Sequence, residues 1–360
     1  MIAAIRRSLD RFFGRGEAAV TLPPLDGALR ANRRLDDEGL RRALPGVTAL
    51  AASGGQLYAA ADRNLMRLTG DNTWQKLAEF EAPISALCQA PSGGILLALS
   101  DGRLIGYDGA GAGAPRQTGL RGITDLAVSG EGTVWITCGS DRHGAEDWQR
   151  DLLLRGTSGS LWRLAAGEGQ PQQVAGGLAW AGGVMLRGEG VIVSESWRHR
   201  LLFLAPGGRR DVVLGDLPAY PGRLTAAGDG AWLAMFAPRS QLVEFVLREP
   251  AYCHRMIEEV PRACWIAPRL RAGQSFYEAL QNGAVKQLGL LKPWAPSMSS
   301  GIVVRLDAAS QPLFSLQSRA DGRTHGVTHA VEAEGVLHVA ASGDEVVVTL
   351  SRESLEGEAK

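Results

Sequence analysis

Residues 46–70 read GVTALAASGGQLYAAADRNLMRLTG, and the fold follows from this stretch. A short apolar run ends at Gly54–Gly55, a second ends at Asp62–Arg63, and a third follows. Apolar runs of four to eight residues closed by Gly, Asp or Asn are strands joined by tight turns. The same template returns in PISALCQAPSGGILLALSDGRLIGYDG (83–109) and RGITDLAVSGEGTVWITCG (121–139), the latter continued by GSLWRLAAG (159–167). It returns again in LAWAGGVMLRGEGVIVSESWRHRLLFLAPGG (178–208), PGRLTAAGDGAWLAMFAP (221–238) and HGVTHAVEAEGVLHVAASGDEVVVTL (325–350). Starts fall near residues 46, 83, 121, 178, 220 and 325, so the short intervals run to roughly 37–42 residues. That is the period of a four-stranded propeller blade. Six units predict an all-β, six-bladed β-propeller, because a single blade cannot bury both of its faces and neighbours must stack into a closed ring. The last unit shows three strands. A strand near residues 18–24 is expected to complete it and remove the open edges.

Two intervals are too long for a blade alone. Residues 141–158 interrupt the third unit, and residues 239–300 interrupt the fifth. The second insertion reads as helical, in SQLVEFVLREPAYCHRMIEEV and in YEALQNGAVKQLGLL, cut by Pro250, Pro261, Pro268, Pro293 and Pro296. Insertions of this length on a propeller are expected to form a lid over one end of the channel. Ile2, Ile5, Leu9, Phe12 and Phe13 fall at helical spacing, with Arg6, Arg7 and Arg11 elsewhere on the wheel. Residues 1–17 therefore predict a short amphipathic arm. It either docks on the body or touches a partner or membrane surface through residues 1–15. Residues 18–350 form the propeller and 351–360 a tail.

Composition sets limits. The 360 residues carry 38 basic and 38 acidic side chains and no net charge. A neutral chain is a poor nucleic-acid binder, since counterion displacement needs an excess of Lys and Arg. Cys88, Cys138, Cys253 and Cys264 are too dispersed for a disulfide framework and contain no CxxC pair. No apolar run nears the ~20 residues of a membrane span. Charges at Arg6, Arg7, Asp10 and Arg11 stand where a secretory signal needs an apolar segment, so a cytoplasmic protein is expected. The 46 glycines sit mostly in hairpin turns.

Residues 178–204 followed by DLPAYPGRLTAAGDGAWLAMFAPR (216–239) resemble the strictosidine synthase-like family. Its pattern is an Asn-Gly-Val strand, (A/S)-E-(T/S)-x-R-x-R, D-L-P-G-Y-P-D-N, a D-G-x-(F/Y)-W turn and a closing A/S-P-R. The likeness spans roughly residues 120–350 and is most specific over 178–239. It implies the gluconolactonase/regucalcin-like six-bladed propeller superfamily. Activities known there are lactone or organophosphate hydrolysis and the Pictet–Spengler condensation. The hydrolases of that group hold Ca²⁺ in the central channel. Here the Asn of Asn-Gly-Val falls on Gly182, and the Pro-Asp-Asn pair falls on Gly222 and Arg223, so calcium is disfavoured and no metal or other cofactor is expected. Asp125 is the one carboxylate left to line the channel, and the only ligand should a metal be present. A turn or capping role is the alternative. The condensing glutamate of the family has no counterpart, because Thr328 or a neighbour stands at its place.

Other residues suggest what replaces that chemistry. Residues 325 and 329 fall on one face of a strand, so His325 and His329 are candidate bases beside Arg223. Arg and His suit an anionic small molecule. The alternative is that they bond loops at a dry channel mouth. Glu195 in SESWRHR is either a third catalytic candidate or the centre of an ion pair that fixes blade register. Asp125, Arg223, Thr328 and Trp180 are the candidate ligand contacts. No G-x-S-x-G elbow occurs. The expected function is a small-molecule propeller, acting on a lactone or ester without calcium, or else binding a ligand without chemistry.

Overall fold

The structure, a computed structural model, describes residues 22–274, 278, 280–287, 290–296, 299–351 and 355. Six four-stranded antiparallel sheets surround one axis. Their inner strands are Val47–Ser53, Ile84–Gln89, Ile123–Val128, Ala181–Arg187, Ala219–Ala227 and Val327–Ala333, numbered here as blades 1 to 6. Each inner strand packs against the next, and the last packs against the first, so the ring is closed. The chain is a six-bladed β-propeller.

Blade strands form where the sequence alternates short apolar runs with turn residues. Gly54 and Gly55 both have positive φ, 56° and 71°, which a two-residue hairpin requires at its central positions. Blade interiors stack as apolar layers. Between blades 6 and 1, Leu50, Leu57, Ala59, Val331, Ala340 and Val347 are all buried. Burying a Leu or Val of this kind stabilises the ring by about 1.5–3 kcal/mol.

Closure differs from expectation in position and agrees in kind. The fourth strand of blade 6 is Leu40–Ala43, which pairs antiparallel with Val346–Leu350. Of the expected 18–24 stretch, residues 22–24 are irregular and the remainder lies outside the described residues, as does the 1–17 arm. The outermost strand of a blade needs only backbone complementarity. A four-residue LRRA segment can fill that place without an apolar pattern. Before reaching it, the chain crosses blade 5, where Gln317 Nε2 donates to Leu29 O (2.8 Å) and Asn32 Nδ2 donates to Ser315 O (2.9 Å).

Both insertions join the second and third strands of a blade, so both emerge at the end where the inner strands begin. The blade 3 insertion contributes the helix Trp148–Leu153. The blade 5 insertion contributes Gln241–Val246, capped by Ser240 Oγ on the Val243 N–H, and Pro250–Glu259, with Pro250 at its first position. Leu153, Val246, Cys253, Met256 and Trp265 form a small core between the two insertions. The expected second helical piece is instead a hairpin, Leu280–Gln287 with Leu290–Pro296. Gly283 and Pro293 are poor helix residues, and they outweigh the helical spacing around Leu280.

Candidate functional site

All six inner strands carry a register slip near their start. Thr48, Ser85, Thr124, Gly182 and Thr328 have no partner across the ladder, and in blade 5 the slip falls at Gly222–Arg223. A bulged residue leaves the ladder, so its carbonyl is free to turn. Four such carbonyls meet the side chain of Arg223. Its Nη1 donates to Thr48 O (2.8 Å) and Thr328 O (3.3 Å), its Nη2 to Ser85 O (2.7 Å) and its Nε to Thr124 O (3.1 Å). One guanidinium rooted in blade 5 thus ties blades 1, 2, 3 and 6 together across the axis. The planar fork of five N–H groups is suited to such a divergent set of acceptors.

Asp125 lies below this plane. Its Oδ2 accepts the Val184 N–H of blade 4 (3.0 Å), and its Oδ1 is 3.6 Å from Arg223 Nε. Burial pushes its carboxyl up to about 7, against the pull of Arg223 and the amide bonds. Burial pushes Arg223 the other way, below its ordinary value, and the Asp125 carboxylate opposes that shift. His329 completes the layer. Its Nδ1 accepts the Leu50 N–H (3.0 Å), which fixes the proton on Nε2, and Nε2 then donates to Thr225 Oγ1 (2.9 Å). Burial, and then Arg223, hold this imidazole well below its usual range. It is a neutral bridge among blades 1, 5 and 6, with both ring nitrogens committed.

Arg223 divides the channel. On one side lies a cavity of about 270 Å³, lined by Asp125, His329 and the middle of the inner strands. On the other lies the lidded mouth, a cavity of about 740 Å³. Its floor is Arg223 with Thr48, Ser85, Thr124 and Thr328, and its walls include Trp148, Trp180, Phe236 and Leu270. Trp148 comes from the blade 3 insertion and meets Phe236 edge-on, with ring centroids 5.4 Å apart. Trp180 packs on Trp197 at 5.1 Å. Thr48 Oγ1 is buried and has no hydrogen-bond partner. Asp62 and Glu146 stand at the rim.

The remaining predicted residues fall in different places. Thr328 and Trp180 line the mouth, as expected of ligand contacts. Thr328 Oγ1 also bonds Ser342 Oγ (2.6 Å), which donates to Val47 O (2.5 Å) and so links blades 6 and 1. Glu195 is fully buried away from both cavities and accepts from the Ala179 N–H (2.8 Å), Arg198 Nη1 (2.8 Å) and Arg200 Nε (2.6 Å). Its Arg partners belong to its own blade, so it holds the turn between two strands and has no free oxygen for catalysis. His325 lines neither cavity. It precedes the inner strand, donates its N–H to Asp344 Oδ2 (2.7 Å) and shares a bond with Ser299 Oγ at Nδ1 (2.7 Å). Burial, then Arg271, lower its pKa, and Nε2 is left without a partner. The shared face expected for His325 and His329 does not exist, because the bulge at Thr328 breaks the two-residue alternation. Sequence reasoning missed Thr48, Ser85, Thr124, Trp148 and Phe236. The repeated triplets GVT, PIS, GIT and GVT were the available signal for the first three.

A hard cation in this channel would need six to eight oxygen ligands. The carbonyl donors are present, but the guanidinium already takes them. A divalent ion ~4 Å from it would meet several kcal/mol of repulsion at an effective ε of ~20. A side chain at Gly182 would place Cβ 2.7 Å from Ser196 Oγ, whose hydrogen bond to Pro221 O (2.6 Å) joins blades 4 and 5. The residues present do not fit a metal at this point. Among the described residues, no group of three His, Cys, Asp or Glu side chains is arranged to hold one elsewhere.

No family model matches the sequence, and neither does any curated protein. Among solved structures, the chain is similar to regucalcin, a calcium-binding protein from Agrobacterium tumefaciens, with a TM-score of 0.54 at 13% identity over 89% of this chain and 93% of that one. It is similar to a gluconolactonase from Xanthomonas campestris, with a TM-score of 0.52 at 13% identity over 88% of each chain. It is also similar to luciferin-regenerating enzyme, with a TM-score of 0.53 at 11% identity over 87% of this chain and 95% of that one. Such identities speak for the fold alone. The chain has a six-bladed propeller fold of the gluconolactonase and regucalcin kind.

Proposed function

We propose that this chain binds a small organic molecule in the lidded mouth of its channel. The observation that carries this reading is the cavity above Arg223: about 740 Å³, walled by Trp148, Trp180 and Phe236, with Arg223 at its floor. Ligand sites of ~300–1,000 Å³ are commonly apolar with a few converging polar groups. A ligand with a flat apolar body would lie against the aromatic rings. Its carbonyl or carboxylate end would take the N–H of Arg223 left over from the carbonyl bonds. Gly182, Gly222 and Arg223, where the resemblance places the channel ligands of related propellers, line the same cavity.

A lactone- or ester-hydrolysing version rests on one further observation. Asp62 and Glu146 are carboxylates on this cavity, whereas Glu195 and His329 are committed elsewhere and His325 lines neither cavity. A carbonyl held at Arg223 would need one of the rim carboxylates to activate water. Tryptophan fluorescence on titration with a panel of aryl carboxylates, lactones and aryl esters tests both versions. Binding is expected to weaken at least ~10-fold in Trp148→Ala, as for the loss of a buried aromatic contact. A hit whose affinity is unchanged in both Trp148→Ala and Phe236→Ala would place the ligand elsewhere. Turnover that survives both Asp62→Asn and Glu146→Gln would remove the hydrolytic version.

A further inference from the structure

Four backbone carbonyls from four blades, with a carboxylate oxygen beside them, form the donor set of a hard cation. Buried carbonyls that converge on one axis repel one another as dipoles and need donors, and a cation that donates meets both needs. We infer that Arg223 is the resident cation of this propeller. Its guanidinium fills a cation site built by the bulges of the inner strands, and it clasps the ring without a metal.

Three features support the assignment. The slip occurs in all six inner strands, so the carbonyl cage belongs to the ring's repeat and not to one blade. Arg223 itself sits at the slip of blade 5, which aims its side chain across the axis instead of into the blade interface. The counter-charge is internal as well: Asp125 stands 3.6 Å away and is anchored on Val184. Whatever the mouth cavity binds, the clasp does not depend on it.

Arg223→Ala vacates the cage and leaves Thr48 O, Ser85 O and Asp125 short of donors. Its melting temperature is expected to fall by roughly 5–10 °C, the scale for breaking a buried charged pair in a large domain. Methylguanidinium chloride at about 10 mM is expected to restore roughly 2–4 °C to this variant and nothing to wild type, as binding to a vacated site requires. Methylurea, neutral and of the same shape, is the control and should not rescue. Should Arg223→Ala fail to fold, Arg223→Lys keeps the charge but only three donors, and it should melt below wild type. The inference is overturned by an Arg223→Ala or Arg223→Lys variant that melts with wild type. A methylguanidinium shift equal in wild type and variant, or rescue by methylurea alone, overturns it too.

Discussion

The two compartments of the channel are lined by the same six strands and behave differently. On the smaller side, Asp125 bonds Val184, His329 bonds Leu50 and Thr225, and Glu332 Oε2 accepts from Trp232 Nε1 (2.9 Å). These polar groups hold blades together. On the mouth side, Thr48 Oγ1 has no partner and the walls are aromatic. The asymmetry follows from topology. Both insertions join second to third strands, so both open at the end where inner strands begin, and only that end gains a lid and Trp148. One end of the channel is lined by polar groups that join blades, and the other is a wider cavity with aromatic walls.

Substitutions can break that comparison. The largest effect is expected at its boundary. Arg223→Met should cost about 3–5 kcal/mol, because it leaves Asp125 buried without its partner. His329→Ala, on the structural side, should cost about 2–4 kcal/mol through two lost hydrogen bonds and a small void. Denaturant melts would check both, and a neutral result at His329 would remove the structural reading of that end. Trp148→Ala is expected to reduce ligand affinity at least ~10-fold and to cost about 1–3 kcal/mol in stability, since the ring also packs on Phe236 and Trp197.

A smaller effect concerns pH. Burial holds His199 down to about 3 and His338 to about 4, and His325 and His329 are also lowered. The native state keeps these rings neutral, while the unfolded chain binds protons below pH ~6.5. Stability from them is therefore present above that pH and lost as pH falls toward 4 and below. Asp125 opposes with one proton. Held at about 7 in the fold, it favours the native state at low pH, and that contribution is lost as pH rises through 7. Four groups outweigh one, so the melting temperature should drop on acidification below pH ~6.5. His338→Gln should flatten the slope by one proton. Glu146→Gln, at the rim, is the smallest expected effect, within about 0.5 kcal/mol in stability.

The blade count was legible because apolar runs and Gly turns recur in every unit. The closing strand was not, since Leu40–Ala43 is an outer strand whose pairing needs no apolar face. The His325–His329 face failed for a local reason: alternation by two holds only in an unbroken strand, and Thr328 is bulged. Four of the six bulges were written in the repeated Val/Ile–Thr/Ser step of blades 1, 2, 3 and 6, but that step also reads as ordinary β propensity. The likeness of YPGRL to the family pattern set Arg223 in the channel, with two readings, contact to an anionic ligand or bonding to loops at a dry channel mouth. Its side chain bonds four backbone carbonyls. The carbonyls that take most of its donors are backbone atoms, which side-chain identity does not announce.

The most direct test is calorimetric titration of chelator-treated wild-type protein with CaCl2. With Arg223 serving as the channel's cation, no saturable binding is expected up to about 1 mM Ca²⁺, and melting should be the same with and without chelator. One-site binding at micromolar Ca²⁺ with a rise of several degrees in melting temperature would contradict it.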